Sequence, residues 1–124
     1  MKNYIYLLLV NFMFVGCYEQ ERNCKDFKTG KFRAEFEVDG KKHVSEFERT
    51  ETMEIETVNG KTDSTSIRWV NDCEYIGQKI NPKNMQEQKA VQIKIMTTKD
   101  NSYSFEFSLV GDTKKQQGTV TKID

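Results

Sequence analysis

Proline occurs once in these 124 residues, tryptophan once and histidine once, and glycine only seven times. So little Pro and Gly excludes a collagen-like or low-complexity disordered chain. No charge of one sign dominates, because 19 Lys and Arg face 19 Asp and Glu. No basic field is therefore present to hold nucleic acid. The chain also lacks Cys-x-x-Cys, Gly-x-Ser-x-Gly, Ser-x-x-Lys and a Gly-rich phosphate loop, so no enzyme signature stands out. The lone His43 follows Lys41-Lys42 near a turn, without a nucleophile or orienting carboxylate at a telling spacing, and reads as an exposed strand residue. Long apolar runs are scarce as well. The longest, Tyr4 to Val15, is well short of the roughly 20 residues that span a bilayer.

What is present at the N-terminus has a different use. Met1-Lys2-Asn3 is short and basic, Tyr4 to Val15 has the length of a signal-peptide core, and Gly16-Cys17 follows. The Gly16-Cys17 junction resembles the lipobox of bacterial lipoprotein signals, with Phe14 where that family favours Leu and Val15 where it favours a smaller residue. The resemblance implies cleavage before Cys17 and a diacylglyceryl group on its thiol. Residues 1–16 are thus expected to be a signal peptide, residues 17–28 a polar tether and disulfide-anchored lead-in, and residues 29–124 a single β domain. The acidic start Tyr18-Glu19-Gln20-Glu21 resembles export signals that carry some lipoproteins to the cell surface. The expected location is the cell envelope, anchored in the outer membrane and facing either the periplasm or the surface.

With Cys17 lipidated, Cys24 and Cys73 remain as an even pair in an oxidising compartment, which predicts a structural disulfide. Metal ligation would need a Cys-x-x-Cys or nearby His ligands, and no metal site or cofactor is expected.

Period-two alternation dominates the rest. Phe32, Ala34, Phe36 and Val38 alternate with charged residues up to Asp39-Gly40, a two-residue hairpin turn. His43 to Arg49 returns with Val44 and Phe47 out of phase, which predicts a bulge or register fault. Met53, Ile55 and Thr57 share a face of a third strand, and Asn59-Gly60 is a second hairpin turn. A central strand over about Ser64 to Tyr75 carries the apolar stripe Ile67, Trp69, Cys73 and Tyr75, with a bulge expected near Val70-Asn71. Asn81-Pro82 suits a helix start and Met85 an inward anchor, so one short helix is expected up to Gln88. Val91, Ile93, Ile95 and Thr97 mark the next strand, Tyr103, Phe105, Phe107 and Leu109 its partner, and Gly118 to Ile123 the last. The expected fold is all-β, an antiparallel meander of seven to eight strands closed into a small lipocalin-like barrel, with a two-sheet sandwich as the alternative.

Two features bear on chemistry. Asp72 and Glu74, two apart on the expected central strand, read as solvated carboxylates that Arg68 could pair with, because a Ca²⁺ site recruits more oxygens from a loop. Trp69, Phe36, Tyr75, Phe105 and Phe107, with Phe32 and Tyr103, point inward and could line a ligand cavity. In a barrel this small, side-chain filling is the favoured expectation.

Cys24 to Phe32, joined to Arg68 through Tyr75, resembles a group of short uncharacterised bacterial envelope lipoproteins across most of the mature chain. Some chains of that group carry a type II topoisomerase name. The DNA-cleaving Tyr of such enzymes follows an Arg, whereas Asn3, Ile5, Cys17, Glu74 and Ser102 precede the five Tyr here. The expectation is a non-enzymatic envelope lipoprotein with a binding or assembly role. Its partners would be the bilayer, through the N-terminal lipid, and an envelope protein, with no nucleic acid. A carrier or enzyme acting on a small apolar ligand inside the barrel is the alternative.

Overall fold

A computed structural model describes residues 22–124; the expected signal peptide, Cys17 and the tether up to Glu21 lie outside the described residues. A 3-10 turn, Cys24–Phe27, precedes eight strands. These are β1 (Gly30–Val38), β2 (Lys41–Arg49), β3 (Met53–Val58), β4 (Lys61–Asn71), β5 (Glu74–Lys79), β6 (Val91–Lys99), β7 (Ser102–Leu109) and β8 (Gln116–Lys122). Each pairs antiparallel with its neighbour in sequence, and β8 returns to β1 to close an up-and-down barrel. Among the described residues closure leaves no free sheet edge and encloses one face of every strand. The all-β barrel is as expected, with eight strands.

The hairpin turns set the registers. Asp39 and Gly40, and Asn59 and Gly60, all take positive φ, the conformation a two-residue turn requires and one that Asp, Asn and Gly tolerate. The first turn therefore locks Val38 opposite Lys41 and, by unbroken pairing, Phe32 opposite Phe47 and Gly30 opposite Arg49. No bulge interrupts β2, contrary to expectation. Val44 simply faces solvent, 58% exposed, while Ser45, Phe47 and Arg49 face the interior.

Three further expectations are corrected. The Ser64–Tyr75 stretch is not one strand: the chain reverses at Asp72-Cys73, and the Asn71 side-chain oxygen accepts the Cys73 backbone N–H at 2.9 Å to hold the turn. A register shift between Trp69 and Asn71 puts the irregularity where it was expected. Asn81 to Gln88 forms turns, not a helix. Met85 is 80% exposed, so this segment has no apolar face to bury, and a single isolated turn does not hold itself in water. Finally, the β6 irregularity between Ile95 and Thr97 shifts Thr97 out of the inward series and puts Thr98 opposite Tyr103.

The two ends of the barrel differ. The 3-10 turn, the Asp72-Cys73 turn and the strand ends at Arg49, Trp69 and Tyr103 gather at one end. The hairpin turns at Asp39-Gly40 and Asn59-Gly60 and the loops 80–90 and 110–115 surround the other.

Candidate functional site

The first end is plugged. Phe27, carried by the 3-10 turn, is fully buried and meets Tyr103 edge-on at 5.0 Å. Cys24 and Cys73 lie at disulfide distance, 2.03 Å, and tie that turn to the β4–β5 turn. Lys28 adds a 2.9 Å ion pair with Asp72, which holds that carboxyl below its usual range. Asp72 and Glu74 therefore do not form a pair on one strand: Asp72 serves the plug, while Glu74 takes hydrogen bonds from the side chains of Asn71 and Gln92.

At the centre of the plug is Arg49, 1% exposed. It stacks over Phe32 at 4.6 Å. It donates to the Phe27 carbonyl at 2.6 Å, the Tyr75 and Tyr103 hydroxyls at 3.0 and 2.8 Å, and the Glu54 carboxylate at 3.0 Å. Tyr75 donates in turn to the same Glu54 oxygen at 2.8 Å. A buried guanidinium is tolerated when it has both a counter-charge and filled hydrogen bonds. Burial alone would weaken its charge, but Tyr75, Tyr103 and Glu54 outweigh that and push its pKa above the ordinary value. Glu54 is its ion-pair partner, and burial raises both tyrosine hydroxyls above their usual range, Tyr75 further with help from Glu54.

Above this floor the barrel is hollow. A cavity of about 220 Å³ takes lining residues from every strand. Its apolar side is Phe36 on β1, Val91 and Ile93 on β6, and Phe105 and Phe107 on β7; its polar side is Glu54 and Glu56 on β3, Asp63 and Thr65 on β4, and Lys79 on β5. Space remains because small side chains occupy the middle layer. Ala34, Ser45 and Thr65 line the wall, and Gly118 lies under the Phe105 ring, where a Cβ would come within 2.7 Å of it. The expected filling therefore holds only at the plugged end.

Of the residues expected to line a cavity, Phe36, Tyr75, Phe105 and Phe107 do so, as does Tyr103. Trp69 does not. It packs behind the floor against Tyr75, with ring centres 4.7 Å apart and its indole N–H buried without an acceptor. Phe32 is sealed in the plug. The face of β3 bearing Met53, Ile55 and Thr57 points outward, since Glu54 and Glu56 pair with the inward Arg49 and Phe47.

The polar wall is mostly self-paired. Lys79 donates to Asp63 at 2.7 Å and to Glu87 at 2.9 Å, and these bonds raise its pKa against the opposing effect of burial. Lys79 lowers the Glu87 pKa in return, with help from the Lys83 N–H. Loop 80–90 is thus pinned to the mouth. The Glu56 side chain has no hydrogen bond or ion pair among the described residues. It sits where β2 and β3 cease to pair, since only Phe47 to Arg49 and Glu54 to Glu56 are matched. Exposed Val58, Ile80, Met85 and Val110 give the rim an apolar character.

No family model matches this chain, and no curated protein or solved structure matches it either.

Proposed function

We propose that this chain is a lipid-anchored barrel of the cell envelope that binds a small, mainly apolar molecule in its open end without transforming it. The observation that carries this is the 220 Å³ cavity, aromatic on one side and polar on the other, over a floor of Tyr75, Tyr103 and Glu54. An apolar cavity of about 150 Å³ admits benzene, so this one suits an aromatic ring with a short chain. Binding is favoured over catalysis by the state of the polar groups. Lys79 and Glu54 are held in ion pairs, and both tyrosines are shifted away from neutral pH, which suits proton transfer poorly.

The envelope part of the reading rests on the Gly16-Cys17 junction and on the resemblance to envelope lipoproteins. The described chain starts at Arg22 beside the plug, where Arg22 donates to the Ile95 carbonyl at 3.0 Å. A lipid on Cys17 would therefore place the plug toward the bilayer and the mouth away from it. The apolar rim would then suit an envelope protein that delivers or collects the ligand.

Calorimetric titration with 4-phenyl-1-butanol tests the binding. Saturable one-site binding that is lost in Ser45→Phe, which fills the cavity, is expected; no binding at millimolar concentration would overturn the reading. Intact mass of protein taken from bacterial membranes tests the anchor. A chain beginning at Cys17 with added acyl mass is expected, and an uncleaved chain would remove the envelope assignment.

A further inference from the structure

We infer that the ligand is a cationic amphiphile, an organic amine whose ammonium sits against Glu56 while its apolar body lies on the aromatic wall. This rests on the cavity-binding reading above and names the chemical class of its ligand.

The charges of the cavity wall decide the class. Glu54 is matched by Arg49 at 3.0 Å and Asp63 by Lys79 at 2.7 Å. Lys79 also serves Glu87 at 2.9 Å, so among the described residues neither the lining Lys79 nor the floor Arg49 is left over for an anionic ligand. Among the carboxylates that line the cavity Glu56 alone is unmatched, half-buried and facing the cavity between Phe47 and Asp63. A carboxylate removed from part of its water, with no donor in the protein, gains from a ligand that supplies one. A neutral hydroxyl can donate to it but brings no counter-charge, and a carboxylate ligand adds like-charge repulsion. The aromatic wall agrees, because phenyl rings such as Phe105 and Phe107 attract a cation as well as an alkyl chain, while Phe36 is already stacked on His43 at 5.4 Å. The buried Arg49 does not reverse the preference, since its donors are taken by Phe27, Tyr75, Tyr103 and Glu54. Access fits too: Glu56 lies where the β2–β3 seam opens toward the mouth.

The test compares three molecules of one shape, 4-phenylbutylamine, 4-phenyl-1-butanol and 4-phenylbutanoate, each titrated at pH 7 into the protein and into Glu56→Gln. The amine is expected to bind about tenfold tighter than the alcohol, because its ammonium brings a counter-charge to the half-buried carboxylate that a hydroxyl donor lacks, with the carboxylate weakest. In Glu56→Gln the amine-to-alcohol ratio should fall toward one. An alcohol that binds as tightly as the amine overturns this inference and leaves the binding reading standing. A preference for the carboxylate also overturns it. If none of the three binds, the inference falls together with the cavity reading.

Discussion

At one end of this barrel the strands converge on a single buried cation, while at the other they surround a cavity, though both ends are built from the same alternating pattern. The difference lies in which residues take the inward positions. The plug receives Phe27, Phe32, Ile95 and Arg49, all essentially without exposure, and a disulfide that joins its two turns. The middle of the barrel receives Ala34, Ser45, Thr65 and Gly118, whose side chains cannot meet across the axis. Stability is thereby concentrated at one end, and the other is left free to recognise a ligand. A polar group is expensive in the plug unless fully paired, and in the hollow end one can be left unpaired for a ligand to satisfy.

This contrast can be broken most severely at Arg49. Arg49→Ala should cost about 3–5 kcal/mol in urea denaturation, because it strands the Phe27 carbonyl and leaves the Glu54 carboxylate without its counter-charge. A loss under about 1 kcal/mol would mean that the plug does not depend on its cation. Removing the disulfide through Cys24→Ser with Cys73→Ser should cost about 4 kcal/mol in the chain-entropy model for a 49-residue separation. It should also expose the Phe27 region first, which hydrogen exchange would register at the backbone amides of residues 24–28.

The tyrosines give a pH signature to the same end. Both hydroxyls have raised pKa values in the folded state, chiefly through burial. The unfolded chain ionises near pH 10, so stability is unaffected below that and declines above it. The slope should approach 1.4 kcal/mol per pH unit for each tyrosine still protonated in the fold. Denaturation measured from pH 9 to 11.5 should show this decline, and Tyr103→Phe should make it shallower. The smallest effect belongs to the open end. Glu56→Gln should change stability by less than about 0.5 kcal/mol, and a larger loss would show that Glu56 is a structural partner, not a waiting one.

Much of the fold was legible, because period-two stripes such as Phe32-Ala34-Phe36-Val38 and the Asp-Gly and Asn-Gly turns carry their geometry in the residues themselves. The site was less so, although the signal was there. Two-residue turns fix parity: Asp39-Gly40 puts Arg49 on the side of Phe32, and Asn59-Gly60 puts Glu54 and Glu56 on the side of Ile67 and Trp69. Apolar pattern alone hides this, since Met53 and Ile55 form the more apolar face of β3 although it is the outward one, and Val44 mimics a fault in β2 although it only faces solvent. For the same reason Trp69 is a poor guide to the centre, because the largest fully buried side chain is Arg49, not the Trp. The Asp72-Cys73 turn contains no Gly or Pro, and its Asn71 cap is visible only once the strands are paired. The hollow middle depends on which small side chains share a layer, which follows from register and not from composition.

The most direct test of the central claim, a barrel plugged by Arg49 and open above it, is methyl NMR during titration with 4-phenyl-1-butanol. Val91, Ile93 and Val120, which line the cavity, should shift saturably, while outward Val44 and Val70 stay in place. Shifts confined to Val44 and Val70, or spread evenly over all five, would mean that the molecule meets only the outside of the barrel and that the cavity is not its site.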